Sequence, residues 1–204
     1  MTTDLPTVFV IDDEPVVRKA VRLLLEQAGH RVELFESADI FLQQFDATRP
    51  GCVVSDVRMP GTDGMQLLRN LSQQGHRIPT IMLSAHGDIP MAVRAVRIGA
   101  FDFLEKPVDP AILREKVAAA LQFDADQRLE QDERTEIQQH LGSLTPRERE
   151  VLNLLVSGKD AKIIAGILGS SYNTVRVQRA SLMKKMRADN VADLIRMMQL
   201  VSES

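Results

Sequence analysis

A chain of 204 residues, 44% of them hydrophobic, can bury one generous core or two small ones. Its longest apolar runs, near Thr7–Ile11 and residues 78–83, fall far short of the ~20 residues that cross a bilayer, and Cys52 is the only cysteine, so membrane-spanning and disulfide-stapled architectures are excluded. The net charge of −3 hides an asymmetry: residues 1–140 hold 15 Lys+Arg against 22 Asp+Glu, net −7, whereas residues 141–204 hold 10 against 6, net +4, which makes the C-terminal portion the candidate for binding a polyanion.

The N-terminus, Met1 to Pro6, has neither the basic region nor the apolar run of a secretory signal, and a reducing cytoplasm is expected. Short β-branched runs then alternate with amphipathic helical patterns, the mark of β-α-β units around a parallel sheet. Strands are expected at 7–11, 31–35, 52–55, 80–84 and 101–104. Helices are expected between them, the first carrying Val17, Val21, Leu24, Leu25 and Ala28, with Gly29 placed as its left-handed C-cap. Further helical patterns cover 38–45, 64–73, 89–98 and 110–123. The spacing therefore predicts an α/β domain, a (βα)5 doubly wound parallel sheet, over residues 1–123.

From 124 to 139 apolar residues thin to Leu129 and Ile137, while charge and glutamine dominate. We read 124–140 as a linker, either coil or a solvated extension of the preceding helix, since no Pro or Gly interrupts it. Residues 141–204 show only helical periods. Thr145-Pro146-Arg147-Glu148 combines an N-cap, a proline at the first helical position and a glutamate at the third. Helices are expected at 146–156, 160–168, 172–187 and 190–201, with Gly158 ending the first and Ser171 capping the third. Two short helices meeting before a longer basic one form the pattern of a helix-turn-helix.

Asp12 and Asp13 sit at the C-terminal end of the first predicted strand and Asp56 at that of the third, Ser84 ends the fourth, and Lys106 follows the fifth. In an open parallel sheet these positions converge on one crevice beyond the carboxyl ends of the strands. Clustered carboxylates need a neutralising cation, and all-oxygen ligation favours Mg²⁺. A carboxylate so placed can take a phosphoryl group when cations absorb the charge of the transition state, and Asp56, followed by the open Pro60-Gly61 loop, suits that role.

The order Asp12-Asp13, Asp56 with Met59-Pro60-Gly61, Ser84, and Phe103 three residues before Lys106-Pro107 resembles the receiver domain of two-component response regulators over residues 7–123. The resemblance implies that Asp56 is the phosphoacceptor and that Asp12, Asp13, Asp56 and the Arg58 carbonyl hold Mg²⁺. It also implies that Lys106 pairs with the phosphoryl oxygens and that Ser84 and Phe103 form the switch pair. Val108 stands where the family often has an aromatic. Lys106-Pro107 is a cis peptide in the family, whereas the general rate for X-Pro bonds argues trans. His76 and His86 read as surface histidines, and Cys52 as a small buried hydrophobe. Met183, Met186, Met197 and Met198 read as core or dimer packing.

In the third C-terminal helix Arg176 and Arg179 share a face, with Val175, Leu182 and Met186 as the core stripe. Lys184, Lys185 and Arg187 add charge at its end, and Asn173, Thr174 and Gln178 add polar groups. The run 144–152 (Leu-Thr-Pro-Arg-Glu-Arg-Glu-Val-Leu), Ile164-Ala165, Thr174-Val175 and Met183-Lys184-Lys185-Met186 resembles the LuxR-type helix-turn-helix of the FixJ/NarL class over 141–201. Ala161-Lys162 and Gln178-Arg179 depart from the Asn-Lys and His-Arg common there. The resemblance implies a four-helix DNA-binding domain, with Asn173, Thr174, Arg176, Gln178, Arg179, Lys184 and Lys185 as its DNA contacts.

The whole reads as a transcription factor rather than an enzyme. A sensor histidine kinase would phosphorylate Asp56, the face of the fourth helix and fifth strand would form a homodimer, and double-stranded DNA and RNA polymerase would be the further partners. A Mg²⁺-dependent phosphotransferase or phosphatase is disfavoured because no capping domain or second general acid accompanies the nucleophile. A pure adaptor is disfavoured by the basic helix.

Overall fold

The computed structural model describes residues 5–85 and 89–202. His86 lies outside the described residues. The chain divides into two compact units, Met1–Gln127 and Arg128–Ser204.

In the first unit, strands β1 (Thr7–Ile11), β2 (Arg31–Phe35), β3 (Gly51–Asp56), β4 (Thr80–Ser84) and β5 (Asp102–Glu105) form one parallel sheet in the order β2-β1-β3-β4-β5. Between them run α1 (Pro15–Gln27), α2 (Ala38–Gln44), α3 (Gly64–Gln73) and α4 (Ile89–Ile98), and α5 (Pro110–Gly142) follows. This is the expected alternation. β3 is longer than predicted and takes in Asp56, while β5 starts one residue later. Gly29 has φ +86 just beyond α1, as its position after the apolar stripe required.

Every residue of β1, β3 and β4 is buried, which explains why those strands read as continuous apolar runs rather than alternating ones. Alternate side chains go to opposite faces. Val8, Val10, Val54, Ile81 and Leu83 pack with Leu25 of α1 and with Leu113 and Val117 of α5. On the other face Phe9, Ile11 and Val53 meet Phe35, Phe41, Leu67 and Leu71. Cys52 is fully buried on the first face, and its thiol is pushed up by burial and then by the Asp124 charge, so it is inert packing. His76 rests edge-on against Phe45 with ring centroids 5.1 Å apart.

α5 continues through the segment read as a linker and ends at Gly142. The second unit then contains α6 (Pro146–Val156), α7 (Ala161–Ile167), α8 (Tyr172–Met186) and α9 (Val191–Ser202). Their common core holds Ile137, Val151, Leu152, Leu155, Ile164, Val175, Leu182, Met186 and Leu194. Met183, Met197 and Met198 pack against it. α6 and α8 start where expected, while α7 and α9 each start one residue later. Thr145 and Glu148 form a reciprocal capping box, Asp160 caps α7, and Ser171 caps α8 by accepting from the Thr174 amide.

Candidate phosphoacceptor site and nucleic-acid interface

The parallel register sets β1, β3, β4 and β5 side by side, so Asp12, Asp56, Ser84 and Lys106 emerge at one end of the sheet. Asp56, the last residue of β3, is 7% exposed, and Asp12 is 2% exposed. Two buried carboxylates side by side are tolerable only if a cation lies between them. Lys106 supplies it: Nζ donates to Asp12 Oδ2 at 2.7 Å and to Asp56 Oδ1 at 2.5 Å. Burial alone would lower the Lys106 pKa, but the hydrogen bonds and charges of Asp12 and Asp56 outweigh it and hold the ammonium above its ordinary value. The peptide bond joining Lys106 to Pro107 is cis.

The remaining atoms of the pair are also engaged. Asp12 Oδ1 accepts from the Glu14 amide at 2.8 Å, and its carbonyl accepts from Arg18 at 2.5 Å. Asp56 Oδ2 accepts from the Arg58 amide at 2.6 Å. Gly64 closes the loop that follows: a Cβ there would lie 2.1 Å from the Asp56 carbonyl, so only glycine lets α3 approach the strand end. Ser84 is buried, and its carbonyl accepts from the Lys106 amide at 2.8 Å. Phe103 is half-buried against the cluster of Val57, Met65, Leu68, Met82 and Ala95.

Three carboxylates were expected to converge, yet among the described residues no three of His, Cys, Asp and Glu stand close enough to hold a metal by themselves. Lys106 offsets only one of the two charges of Asp12 and Asp56, while Asp13 is exposed and makes no hydrogen bond or ion pair among the described residues. The donor chemistry still suits a hard cation: two carboxylates already converge on one positive centre, and the other available donors are oxygens.

In the second unit, Asn173, Thr174, Arg176, Arg179 and Lys184 are exposed on α8. Two of the expected contacts are not. Gln178 is half-buried, with its Oε1 enclosed and without a hydrogen-bond partner among the described residues. Lys185 Nζ donates to Glu148 Oε2 at 2.7 Å and to the Ser143 carbonyl at 3.3 Å. Periodicity is the cause: 178 and 185 are spaced three or four residues from the buried Val175 and Leu182, so both turn toward the domain's interior. Arg179 also flanks the core stripe and borders a cavity lined by Lys159, Asp160 and Val191.

The spacing 173-177-180-184 marks the opposite side, which adds Val177, 62% exposed, and Ala180 to Asn173 and Lys184. A reading led by charge passes over both, although counting outward from Val175 and Leu182 finds them. Glu148 is a residue that sequence reasoning saw only as a cap. Its carboxylate accepts from Lys185, from Ser181 Oγ at 2.7 Å and from the Thr145 amide at 2.8 Å, which carry its pKa down to about 2 despite burial.

Residues 8–118 match the response regulator receiver domain, and residues 142–198 match the bacterial regulatory proteins of the luxR family. The chain belongs to the response regulator family. It is 44% identical over 197 residues to the transcriptional regulatory protein FixJ of Azorhizobium caulinodans, covering 97% of this chain and 93% of that protein. It is 40% identical to FixJ of Rhizobium meliloti, covering 94% of each. Among solved structures it is similar to the response regulator StyR, with a TM-score of 0.86 and 40% identity over 96% of this chain and 98% of that one. Full-length FixJ from B. japonicum gives a TM-score of 0.59 and 36% identity over 99% and 100%. This FixJ-like response regulator thus joins a receiver to a LuxR-type DNA-binding domain, as a non-enzymatic transcriptional regulator. Receiver domains generally bind Mg²⁺ at their phosphorylation site. No described helix is long and apolar enough to cross a membrane.

Proposed function

We propose that the chain is a phosphorylation-gated transcription factor in which Asp56 accepts a phosphoryl group from a sensor histidine kinase. The observation that carries this reading is the Lys106 ammonium shared between Asp12 and Asp56 at the carboxyl end of the sheet. Lys106 is thereby placed to follow the charge when a phosphoryl group is added to Asp56 and to pair with its oxygens. Asp13, exposed and next to Asp12 in the chain, would hold Mg²⁺ together with Asp12, Asp56 and the Arg58 carbonyl. The bound ion would draw charge from the transferring phosphoryl group.

Ser84 and Phe103 are the switch pair in this reading: the buried hydroxyl moves to the phosphoryl oxygens, and the half-buried ring moves into the space released. The face of α4 and β5 then forms the homodimer. On α4 the outward apolar residues are Ile89, Val93 and Val96, spaced along one side and exposed, whereas Ala95 belongs to the core. The functional division follows as receiver 1–123, connecting segment 124–140 and DNA-binding domain 141–204, acting in the cytoplasm and recruiting RNA polymerase at its promoters. Dimerisation places two α8 helices about 34 Å apart on double-stranded DNA. Asn173, Thr174, Arg176, Val177 and Lys184 face the groove, while Arg179 contacts its edge.

Labelling with acetyl phosphate and Mg²⁺ tests the reading. Asp56→Asn should abolish incorporation without unfolding the receiver, and undiminished labelling of the variant would place the phosphoacceptor elsewhere.

A further inference from the structure

The loop from Arg58 to Asp63 connects the phosphoacceptor strand to α3, and it is fixed at both ends. At its start the Arg58 amide donates to Asp56 Oδ2 at 2.6 Å. At its end the Gly64 amide donates to the Val57 carbonyl at 3.0 Å, and Asp63 forms a capping box with Gln66. The tip between them is held from a different element. Thr62 Oγ1 donates to Asp39 Oδ1 at 2.5 Å, and the Thr62 amide lies 3.5 Å from Asp39 Oδ2. Asp39 sits in the first turn of α2, where the helix dipole favours a carboxylate.

Gly61 records the same contact independently. Its φ of +76 calls for glycine, and a Cβ there would stand 2.9 Å from Asp39 Oδ2. The loop has thus been shaped to let the Asp39 carboxylate reach its backbone. Residues 61, 62 and 63 are each constrained, and Met59 is buried in the core against α2 and α3. Of the bonds that orient the Asp56 carboxylate, one comes from Lys106 and the other from this loop.

We propose that Asp39 and Thr62 are a positioning pair for phosphoryl transfer: they hold the loop tip so that the Arg58 amide stays on Asp56 Oδ2 and keeps the carboxylate oriented for attack. The inference rests on Asp56 being the phosphoacceptor. In the step concerned, an Asp56 carboxylate oxygen attacks the phosphorus of an acyl phosphate, the bond from phosphorus to the acyl oxygen breaks, and the acid leaves as its carboxylate without needing a proton. Neither Asp39 nor Thr62 touches the reacting atoms.

Thr62→Val removes the hydroxyl while leaving α2 intact, and Thr62→Ser restores it. In the full chain with acetyl phosphate and Mg²⁺, Thr62→Val should lower the labelling rate at saturating donor by about threefold to tenfold, the range one hydrogen bond spans. The half-saturating donor concentration should not change. Hydrogen exchange at the Arg58 amide should accelerate in parallel, a signature that loss of general stability would spread over the whole sheet instead. Thr62→Ser should recover both properties, and Asp39→Ala should reproduce the loss. Wild-type labelling and wild-type Arg58 exchange in Thr62→Val would overturn the proposal, as would a loss that Thr62→Ser does not repair. Labelling of Asp56→Asn would overturn the reading of Asp56, whereas Asp56-dependent labelling indifferent to Thr62 would overturn only the positioning pair.

Discussion

Glu148 and Lys185 illustrate how one residue's chemistry is decided by its neighbours. On sequence alone Lys185 belonged to a basic run and Glu148 to a helix cap. In the folded domain the Glu148 carboxylate is 5% exposed and joins the start of α6 to the end of α8 through Lys185 and Ser181. A carboxylate whose pKa is depressed in the folded state stabilises fully above its ordinary value, and the contribution is lost as pH falls through the folded value. For Glu148 the window runs from 4.5 down to about 2. Chemical denaturation of the DNA-binding domain should therefore show stability declining over that range, and Glu148→Gln should flatten this part of the profile. At neutral pH Glu148→Gln should cost about 1–3 kcal/mol, less than a fully buried pair, because Lys185 can regain water. An unchanged acid limb in the variant would assign the loss to other carboxylates.

At the scale of elements, periodicity made most of the fold legible. Strands buried on both faces and helices closed by caps announced themselves, because burial and capping each leave a local imprint. The convergence of Asp12, Asp56, Ser84 and Lys106 was equally legible, since strand ends in a parallel sheet converge whatever lies between them, whereas the exposed Asp13 was not brought into contact with them. α5 was harder: residues 124–139 carry too little apolar surface to demand a helix, and only the absence of Pro and Gly hinted at continuity. On α8, helical phase divides residues of like polarity between the buried and exposed sides. Lys185 and Gln178 fall on the buried side of the helix, whereas the neutral Val177 stands outward, able to meet a thymine methyl. Arg176→Ala should cost ~1–3 kcal/mol on a specific duplex and less on a scrambled one. Lys184→Ala should weaken both alike and reduce the salt slope by about one. Binding isotherms at two salt concentrations separate these outcomes, and equal losses on both duplexes for Arg176→Ala would limit it to phosphate contact. On α4, exposed Ile89, Val93 and Val96 make an apolar stripe, with exposed Arg94 and Arg97 on one flank of it. Val96→Glu should keep the phosphorylated chain monomeric in light scattering, and a dimer of unchanged mass would move the interface to another face.

At the scale of the whole molecule, an acidic receiver and a basic DNA-binding domain share one chain, and a phosphoryl group gained by the first is proposed to govern the second. Such control works by shifting a population, so the unphosphorylated chain should retain slight binding and phosphorylation should favour the active state by a few kcal/mol. The most direct test is capture of genomic DNA fragments by the purified full chain, with and without acetyl phosphate and Mg²⁺, beside Asp56→Asn. The expected result is a defined set of fragments enriched by the phosphodonor in the wild type, and no response to the donor in the variant. Capture of the same fragments with the same affinity, whether or not Asp56 can be phosphorylated, would contradict the proposed gate.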